Sequence, residues 1–235
     1  MIKILVVAAT PAEAAFLSRK IKTAETGKPF PLPSSLNLQI DVLITGPGIA
    51  STAFYLGKNL AIKKYDLAIN IGICGSLDPK ILPVRIVNII ADQFGDFGAE
   101  DGRKNLDIFE TGLLQKNKFP FKNGMLNATY QGKLSTLKAL PRVKGITVQR
   151  IHGSSATIKN IKEKFGNVME SMEGAAFFYA CNLESVPCLQ IRSVSNKVER
   201  RNRKNWKIDE AISALAGFTG LMLLEMENLS DTKRS

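Results

Sequence analysis

The sequence is poor in the residues from which metal sites and disulfide frameworks are built. It contains three cysteines, one histidine and one tryptophan among 235 residues. The cysteines, at positions 74, 181 and 188, have apolar neighbours and lack the close spacing of metal ligands, a pattern typical of the reduced core of a cytosolic protein. The composition therefore predicts neither a disulfide framework nor a bound metal.

Long hydrophobic runs are also missing. No stretch approaches the roughly 18 apolar residues that are needed to span a membrane. The apolar run at the N-terminus lacks a convincing basic region before it and is followed quickly by Glu13, so it predicts a first buried strand rather than a signal peptide. We therefore expect a cytoplasmic protein.

Acidic residues are outnumbered by basic ones, 21 to 32, which gives a formal net charge of +11. Such an excess can indicate a nucleic acid, an anionic lipid or an anionic small substrate as partner. The basic residues are spread along the chain, with one concentration from Arg200 to Lys204, and aromatic residues do not alternate with them as in single-strand binders. A generally basic surface is favoured, and a nucleic-acid-binding module is the non-enzymatic alternative.

The order of apolar runs predicts the fold. The chain is long enough for one large α/β domain with a substantial core, which we expect to cover residues 1–235. Six apolar runs have the character of buried strands, at residues 2–9, 38–45, 67–71, 84–91, 145–151 and 188–194. Helical patterns alternate with them, among them 51–62 and 208–224. This alternation predicts a three-layer αβα arrangement with a twisted mixed central sheet.

Residues 170–206 place polar groups next to buried elements. The segment E-S-M-E-G-A-A predicts a helix that opens with an acidic turn, in which Gly174 allows another backbone to approach closely. The following apolar strand ends in a small polar turn, Ser195-Asn196. Because ligands bind at the carboxyl ends of strands in open parallel sheets, we expect the Glu173 carboxylate and the Asn196 amide to face one cleft.

Three earlier segments also follow apolar strands. Thr10 to Glu13 predicts the first turn of a helix, where Glu13 either complements the helix dipole or lies in the cleft. The segment G-I-C-G-S, which begins at Gly72, consists largely of small residues that let backbone amides approach a ligand. Gly46 and Gly48 lack the third glycine of a dinucleotide fingerprint, so they predict a sharp turn rather than a cofactor site.

Together these segments resemble the nucleoside phosphorylase and nucleosidase superfamily. The box M-E-G-A-A resembles its ribose-binding box, and I-R-S-V-S-N-K-V-E-R-R-N-R-K-N-W is most similar to the futalosine hydrolases. The resemblance implies a nucleoside phosphorylase-like fold and a cofactor-free homo-oligomer, a dimer or larger, that cleaves an N-glycosidic bond with water. For a futalosine hydrolase the products are hypoxanthine and dehypoxanthine futalosine, in menaquinone biosynthesis.

The resemblance also implies a role for each matched residue. Glu13 positions the attacking water, with Arg192 as a partner that orients it. Glu173 holds the ribose hydroxyls and the positive charge that grows on the sugar, and Met172 lies on the sugar face. Asn196 contacts the leaving base. The remaining implied contacts to sugar and base are Gly72, Ile73, Thr157, Ile158 and Trp206.

Asn196 bears on the identity of the base. The adenine-cleaving nucleosidases that the chain resembles carry Asp at this position. The oxygen of an amide accepts a hydrogen bond from a protonated N7, and its NH2 group donates to O6 of a 6-oxopurine. Hypoxanthine is therefore favoured over adenine, and a methylthioadenosine/adenosylhomocysteine nucleosidase is the first alternative.

Asn70 and Ile73 bear on the nucleophile. Phosphorylases that resemble this chain carry Arg and Ser at these positions, where the two side chains hold phosphate. Without a guanidinium fork and a hydroxyl, a phosphate trianion loses its strongest partners. Hydrolysis is therefore favoured, and a 6-oxopurine nucleoside phosphorylase is the second alternative.

Three features of the sequence each allow two interpretations. Trp206 either closes over the purine or packs in the core under the last helix. Residues 92–102 are either a solvated acidic loop or a segment that lines the far end of a pocket, in the same or a neighbouring subunit. His152 is the single histidine, and a lone histidine is more often a structural hydrogen-bonding residue than a functional one.

Overall fold

The structure is a computed structural model that describes residues 1–35, 37–102 and 104–232, with side chains as far as residue 229. Leu36, Arg103 and residues 233–235 belong to the predicted 1–235 domain and lie outside the described residues. The strands are β1 (Ile2–Ala8), β2 (Pro29–Pro31), β3 (Leu38–Ile44), β4 (Leu67–Ser76), β5 (Ile86–Asp92), β6 (Gly98–Asp101), β7 (Lys104–Asp107), β8 (Leu126–Asn127), β9 (Arg142–Thr147), β10 (Met169–Ser171) and β11 (Cys188–Lys197). The helices are α1 (Pro11–Ala14), α2 (Ile49–Ile62), α3 (Ser135–Lys138), α4 (Ser155–Phe165), α5 (Gly174–Leu183) and α6 (Ile208–Thr232).

Nine of these strands form one mixed sheet. Its order is β10-β9-β5-β11-β4-β1-β3-β2, and the short β8 pairs with β5. β4 lies between β1 and β11 and is parallel to both, whereas β11 and β5 are antiparallel. β10 also pairs with β4, so five strands close into a ring. The predicted mixed central sheet is confirmed, and the ring places β10 beside strands that carry candidate site residues.

β1 shows why helices cover both faces of the sheet. Successive side chains of a strand point to opposite faces. Leu5 and Val7 pack in one buried cluster with α2 and α5, whereas Ile4 and Val6 pack in another with α1 and α6. Because both faces are covered, every position of the strand centre is apolar, as the sequence pattern indicated. The three-layer α/β prediction is confirmed.

Two strands are longer than predicted at the ends that carry candidate site residues. The predicted strand 67–71 continues to its end at Ser76, because residues 72–76 pair with β11. The predicted turn Ser195-Asn196 lies within β11, which passes an irregularity in register after Val194 and ends at Lys197. The glycine-rich segment and Asn196 are therefore neighbours in the sheet and not residues of two separate loops.

The helix predicted from the acidic segment begins later than expected. Glu170 belongs to β10, because Met169–Ser171 pair with β9 and the first two of them also with β4. Glu173 occupies the N-cap position, and α5 begins at Gly174. The strand predicted at 145–151 also differs, since β9 begins and ends about three residues earlier, where its first residues pair with β5.

The three cysteines are free and buried in the core, as their apolar neighbours predicted. α6 is the longest helix at 25 residues, and among the described helices neither it nor any other has the length and apolar content of a membrane span. Within the same described residues, His, Cys, Asp and Glu side chains do not gather in threes as metal binding would require.

Gly174 packs against polar side chains rather than against the neighbouring backbone that the sequence suggested. A β-carbon at this position would lie 2.2 Å from Asp92 Oδ2 and 2.4 Å from Gln190 Oε1. Both side chains are buried, and Gln190 Nε2 donates a hydrogen bond of 3.2 Å to Asp92 Oδ2. The first residue of α5 must therefore be small.

We expect Gly174→Ala to lower the free energy of unfolding by about 1–3 kcal/mol, the usual cost of overpacking a buried site. Gly217→Ala in α6 is the matched control, because nothing lies within 4 Å of its β-carbon position. It should raise stability by roughly 0.5–1 kcal/mol, since glycine is unfavourable inside a helix. Urea denaturation followed by circular dichroism measures both, and a Gly174 variant as stable as the wild type would contradict this packing.

Candidate active site

Glu13 lies just beyond the carboxyl end of β1 and is buried. Its Oε2 accepts hydrogen bonds of 3.0 Å from both the backbone N–H and the hydroxyl of Thr10, as in a capping box. Its Oε1 accepts a hydrogen bond of 3.1 Å from the backbone N–H of Ile73 in β4. The first turn of α1 and the glycine-rich part of β4 therefore hold this carboxylate between them, in the interior rather than on the surface.

Arg192 of β11 places a buried guanidinium beside that carboxylate, with only 1% of the residue exposed. Its Nε donates to Gln190 Oε1 at 2.9 Å, and its Nη2 donates to Asn70 Oδ1 at 2.5 Å. Its Nη1 lies 3.6 Å from Glu173 Oε2. Each guanidinium nitrogen thus faces an acceptor, which a buried cation requires.

Gly72 provides the space in which Arg192 and Glu13 meet. A β-carbon on Gly72 would lie 2.2 Å from Arg192 Nη1 and 2.9 Å from Glu13 Oε1. Any side chain at this position would displace the guanidinium or the carboxylate. The sequence suggested that small residues in this segment let a ligand approach the backbone. At Gly72 that space is instead occupied by the side chains of Arg192 and Glu13.

Glu173 joins the same cluster from the N-terminus of α5. Its Oε1 accepts a hydrogen bond of 3.1 Å from the backbone N–H of Gly48, which has a φ of 95° that favours glycine. The turn before α2 thus holds a site carboxylate, a role that its glycines did not reveal in the sequence. Met172 lies beside Glu173 and is partly exposed.

The neighbours of Glu13 shift its pKa in opposite directions. Burial raises the pKa of Glu13 above its ordinary value, Arg192 acts to lower it, and the nearby Glu173 acts to raise it. A carboxylate with a raised pKa is a stronger base than a solvated one. The cluster therefore contains a buried carboxylate that can accept a proton.

Asn196 and Trp206 line a cavity of about 220 Å³. The other residues at its wall are Ile151, His152, Gly153, Glu199 and Arg201. Asn196 Oδ1 accepts a hydrogen bond of 2.8 Å from the Ser195 hydroxyl, and its Nδ2 donates one of 2.9 Å to the carbonyl of Lys197. One amide N–H and one oxygen lone pair remain for a ligand.

Trp206 lies at the wall of this cavity. It is partly exposed at the cavity and not packed under α6. The guanidinium carbon of Arg201 lies 5.6 Å from the centre of its ring. The cavity therefore has an aromatic wall and an amide, which together suit a planar heterocycle.

Asn196 and Arg192 are four residues apart on β11, which corresponds to about 13 Å of strand. Both pair with β4, Arg192 with Gly72 and Asn196 with Gly75. One pair of parallel strands therefore carries the acidic cluster and the amide along the same line. The structure brings Glu13, Glu173, Arg192, Gly72 and Ile73 into one cluster, and Asn196 with Trp206 into a cavity further along β11.

Thr157 and Ile158 lie in the first turn of α4, which the sequence analysis did not predict, and they are not among the residues that line this cavity. Ile158 lines a second cavity, which shares Glu199 with the first. The backbone N–H of Thr157 donates to the Ser154 hydroxyl at 3.2 Å and thereby caps the helix. Ile158 packs against a separate apolar cluster that includes Leu77 and Ile161. Residues 151–153 line the cavity with Asn196.

The segment 92–102 does not line the cavity with Asn196 and Trp206. Its first residue, Asp92, is buried under the sheet, and Asp96 accepts a hydrogen bond of 2.7 Å from the backbone N–H of Gln149. Gly98–Asp101 form β6, an exposed hairpin strand that pairs with β7. Residues 92–102 are therefore neither a simple solvated loop nor part of the wall of this cavity.

Gln190 and Asp92 belong to the polar network around Arg192 and were missed by the sequence analysis, which singled out Asn70 for another reason. Asp92 Oδ1 accepts a 3.0 Å hydrogen bond from the Thr147 hydroxyl, and Gln190 links the other carboxylate oxygen to Arg192. Burial raises the pKa of Asp92 to about 7. Polar residues inside apolar strand patterns were the available signal, because such residues are buried only when they have partners.

We expect Arg192→Gln to lower the free energy of unfolding at pH 7 by about 3–5 kcal/mol, because it leaves buried carboxylates without their cation. Arg192 lowers the pKa of Glu13, so its removal raises that pKa further. The folded variant then binds more protons than the unfolded chain, and its deficit should shrink as the pH falls from 7 towards about 4.3.

Lys63→Gln is the control for that measurement. Lys63 pairs with buried Asp41, which keeps a 2.6 Å hydrogen bond from the Tyr65 hydroxyl when the lysine is removed. The free energy of unfolding should fall less in Lys63→Gln than in Arg192→Gln, as measured by urea titration at pH 5, 6 and 7. A pH-independent deficit for Arg192→Gln would contradict the charge balance described above.

Two proteins with similar sequences are futalosine hydrolases. The chain is 26% identical to a futalosine hydrolase of Thermus thermophilus over 186 residues, which are 78% of this chain and 80% of the relative. It is 28% identical to a futalosine hydrolase of Streptomyces coelicolor over 200 residues, 83% of either chain.

Solved structures show the same fold. A 5′-methylthioadenosine/S-adenosylhomocysteine nucleosidase of Helicobacter pylori matches with a TM-score of 0.76 at 16% identity, over 96% of this chain and 99% of that one. The native futalosine hydrolase of Helicobacter pylori matches with a TM-score of 0.75 at 16% identity, over 95% and 97%. The two scores are nearly equal, so fold similarity does not distinguish their substrates.

The family profile of the Phosphorylase superfamily matches residues 3–220, which include the whole sheet except the first residue of β1 and every residue of the acidic cluster. The match covers most of the chain and agrees with the fold. This chain belongs to the Phosphorylase superfamily.

Proposed function

We propose that this protein is a nucleosidase that hydrolyses the N-glycosidic bond of futalosine and releases hypoxanthine and dehypoxanthine futalosine. The observation that carries the proposal is the buried cluster of Glu13, Arg192 and Glu173, on the same pair of strands as the cavity of Asn196 and Trp206. The relatives named futalosine hydrolase, which cover about four fifths of the chain or more, support the choice of substrate.

Cleavage of this bond gives the sugar oxocarbenium character in the transition state. Glu173 supplies a fixed negative charge and an acceptor for the ribose hydroxyls, and Met172 provides an apolar surface for the sugar. Glu13 orients a water molecule and takes its proton as the new carbon–oxygen bond forms, with Arg192 as the neighbouring cation. Preorganised charges of this kind need no rearrangement during the reaction.

Water is favoured over phosphate as the nucleophile because of Asn70. Both functional groups of its amide are occupied, since Nδ2 donates to the carbonyl of Val7 at 3.0 Å and Oδ1 accepts from Arg192. Ile73 offers only its backbone N–H, which donates to Glu13. The positions that hold phosphate in phosphorylases are thus used here to build the cluster for water.

Asn196 and Trp206 form the proposed base site. The free N–H of the amide donates to O6 of a 6-oxopurine, and its free lone pair accepts from N7 when N7 is protonated. Residues 151–153 line the same cavity and support the base site. Thr157 and Ile158 remain proposed contacts to the base. Hypoxanthine fits this set of groups better than adenine does.

The proposal also includes the domain organisation, the location, the partners and the oligomeric state of the protein. Residues 1–235 act as one nucleosidase domain in the cytoplasm, with the nucleoside and water as partners and without a cofactor or nucleic acid. Large apolar side chains that are exposed on the single chain support a homo-oligomer, a dimer or larger. Among them are Phe54, Ile62, Leu113 and Phe119.

Substrate comparison tests the proposal. The purified protein is incubated with futalosine, inosine and methylthioadenosine, each with and without phosphate, and the released bases are separated by liquid chromatography. We expect hypoxanthine from futalosine at a rate that phosphate does not change. Phosphate-dependent turnover would instead indicate a phosphorylase, and faster release of adenine from methylthioadenosine would indicate the other nucleosidase. Salt-dependent binding to DNA or RNA without turnover would indicate the nucleic-acid-binding module.

Glu13 and Glu173 are expected to respond differently to replacement by glutamine. Glu13→Gln removes the base that activates water, so kcat should fall by roughly 10²- to 10⁴-fold with little change in KM. Glu173→Gln removes a charge that acts on both the bound sugar and the transition state, so it should raise KM and lower kcat. Steady-state kinetics with futalosine measures both.

Glu225→Gln is the matched control for these variants. Glu225 accepts hydrogen bonds from Ser135 and Thr136 at the surface, away from the cluster, so its replacement should leave kcat and KM unchanged. Near-native activity of either site variant would contradict the role proposed for that residue.

A further inference from the structure

The leaving purine needs a proton source that the residues assigned so far do not supply. When the bond from the sugar to the base breaks, its electron pair stays on the purine, which must be protonated or stabilised as it departs. The carboxamide of Asn196 donates hydrogen bonds but has no proton to transfer. Glu13 accepts a proton from water on the sugar side, so it does not serve the base.

His152 is the titratable ring at the wall of the same cavity. Its Nδ1 is hydrogen-bonded to Glu170 Oε2, and its backbone N–H donates to Glu170 Oε1 at 3.1 Å. Glu170 is buried, with its side chain 3% exposed, while the His152 side chain is 14% exposed. With Nδ1 engaged, Nε2 is the ring nitrogen left for a ligand.

The closed ring of strands brings this pair to the base site. Glu170 on β10 is paired with Gly75 on β4, and Gly75 is paired on its other side with Asn196 on β11. A β-carbon on Gly75 would lie 3.4 Å from Asn196 Nδ2. A glycine therefore separates the amide from the strand that carries the histidine's partner.

The charges around His152 favour its protonated form. Glu170 raises the pKa of His152 through their hydrogen bond, which outweighs the opposite effect of burial, and Asp96 adds to the increase. Glu199 and Arg201 also line the cavity, with opposite charges. A partly buried imidazolium held by a carboxylate is a suitable proton donor near neutral pH.

We propose that His152 is a catalytic residue that protonates the leaving purine, and that Glu170 is the positioning residue that holds its ring. This inference rests on the proposed nucleosidase function. As the C1′–N9 bond breaks, its electron pair moves to the base and the proton on His152 Nε2 moves to a ring nitrogen of the purine. Water bonds to C1′ and gives its proton to Glu13. Solvent then removes the proton from Glu13 and returns one to His152.

The chain offers an unusually direct test, because His152 is its only histidine. In protein without an affinity tag, ¹⁵N-labelled histidine gives imidazole signals from this residue alone. We expect a titration midpoint above the ordinary value of about 6.5, a lower midpoint in Glu170→Gln, and a shift of the Nε2 signal on addition of hypoxanthine. An Nε2 signal that hypoxanthine leaves unchanged would overturn the proposal.

Kinetics tests the proton transfer itself. The protonated ring is the active form, so wild-type kcat should fall as the pH rises through the His152 pKa. His152→Gln should lower kcat by about 100-fold or more, change KM by less than about threefold, and remove that alkaline decrease. Asp41→Asn is the control for lost stability, because Asp41 is a buried carboxylate bound to Lys63 and Tyr65, outside the site. It should retain the wild-type pH profile.

The two proposals fail in different ways. A wild-type protein without turnover of any purine nucleoside would overturn the proposed function and this inference together. Wild-type turnover of futalosine with an unchanged kcat and pH profile in His152→Gln would overturn the inference alone. A purely structural role for His152 would lower the unfolding temperature of the variant without changing the pH profile of its remaining activity.

Discussion

The buried guanidinium of Arg192 is the charge on which the arrangement of the site depends. A cation is tolerated in the interior only when acceptors and opposite charges surround it. Gln190, Asn70 and Glu173 face its nitrogens, and Gly72 leaves the space that it occupies. Asn70 in β4 and Gln190 in β11 are therefore buried as hydrogen-bond acceptors of one side chain. The same cation attracts the carboxylates of Glu13 and Glu173, which we assign to the water and the sugar.

Closure of the sheet is the second constraint. β10 is only three residues long, yet it pairs with both β9 and β4 and so joins the two ends of a five-stranded ring. This closure carries Glu170 and, through it, His152 to the cavity that contains Asn196. The cavity near the carboxyl end of the β4–β11 pair thus depends on a strand too short to form by itself.

Much of the fold was predictable because the central strands are buried on both faces. A continuous apolar run such as Ile4 to Ala8 has few alternatives in a chain of this composition, and β1, β3 and the start of β4 and β11 fall where predicted. β10 and α4 were missed for different reasons. β10 is stabilised by pairing with strands distant in sequence, and α4 has apolar residues on only a narrow face, where Ile161 is its buried residue.

The sequence by itself determined the α/β class and the residue types of the site, since apolar periodicity and local motifs such as M-E-G-A-A need no distant partner to be read. It also identified Glu13, Glu173 and Asn196 as candidate residues. Only the tertiary structure decided that Gly72 accommodates Arg192, that Thr157 caps a helix, and that His152 meets Glu170 at the cavity. The physical reason is that each of these roles depends on strand register and on contacts between elements remote in sequence, which local patterns do not encode.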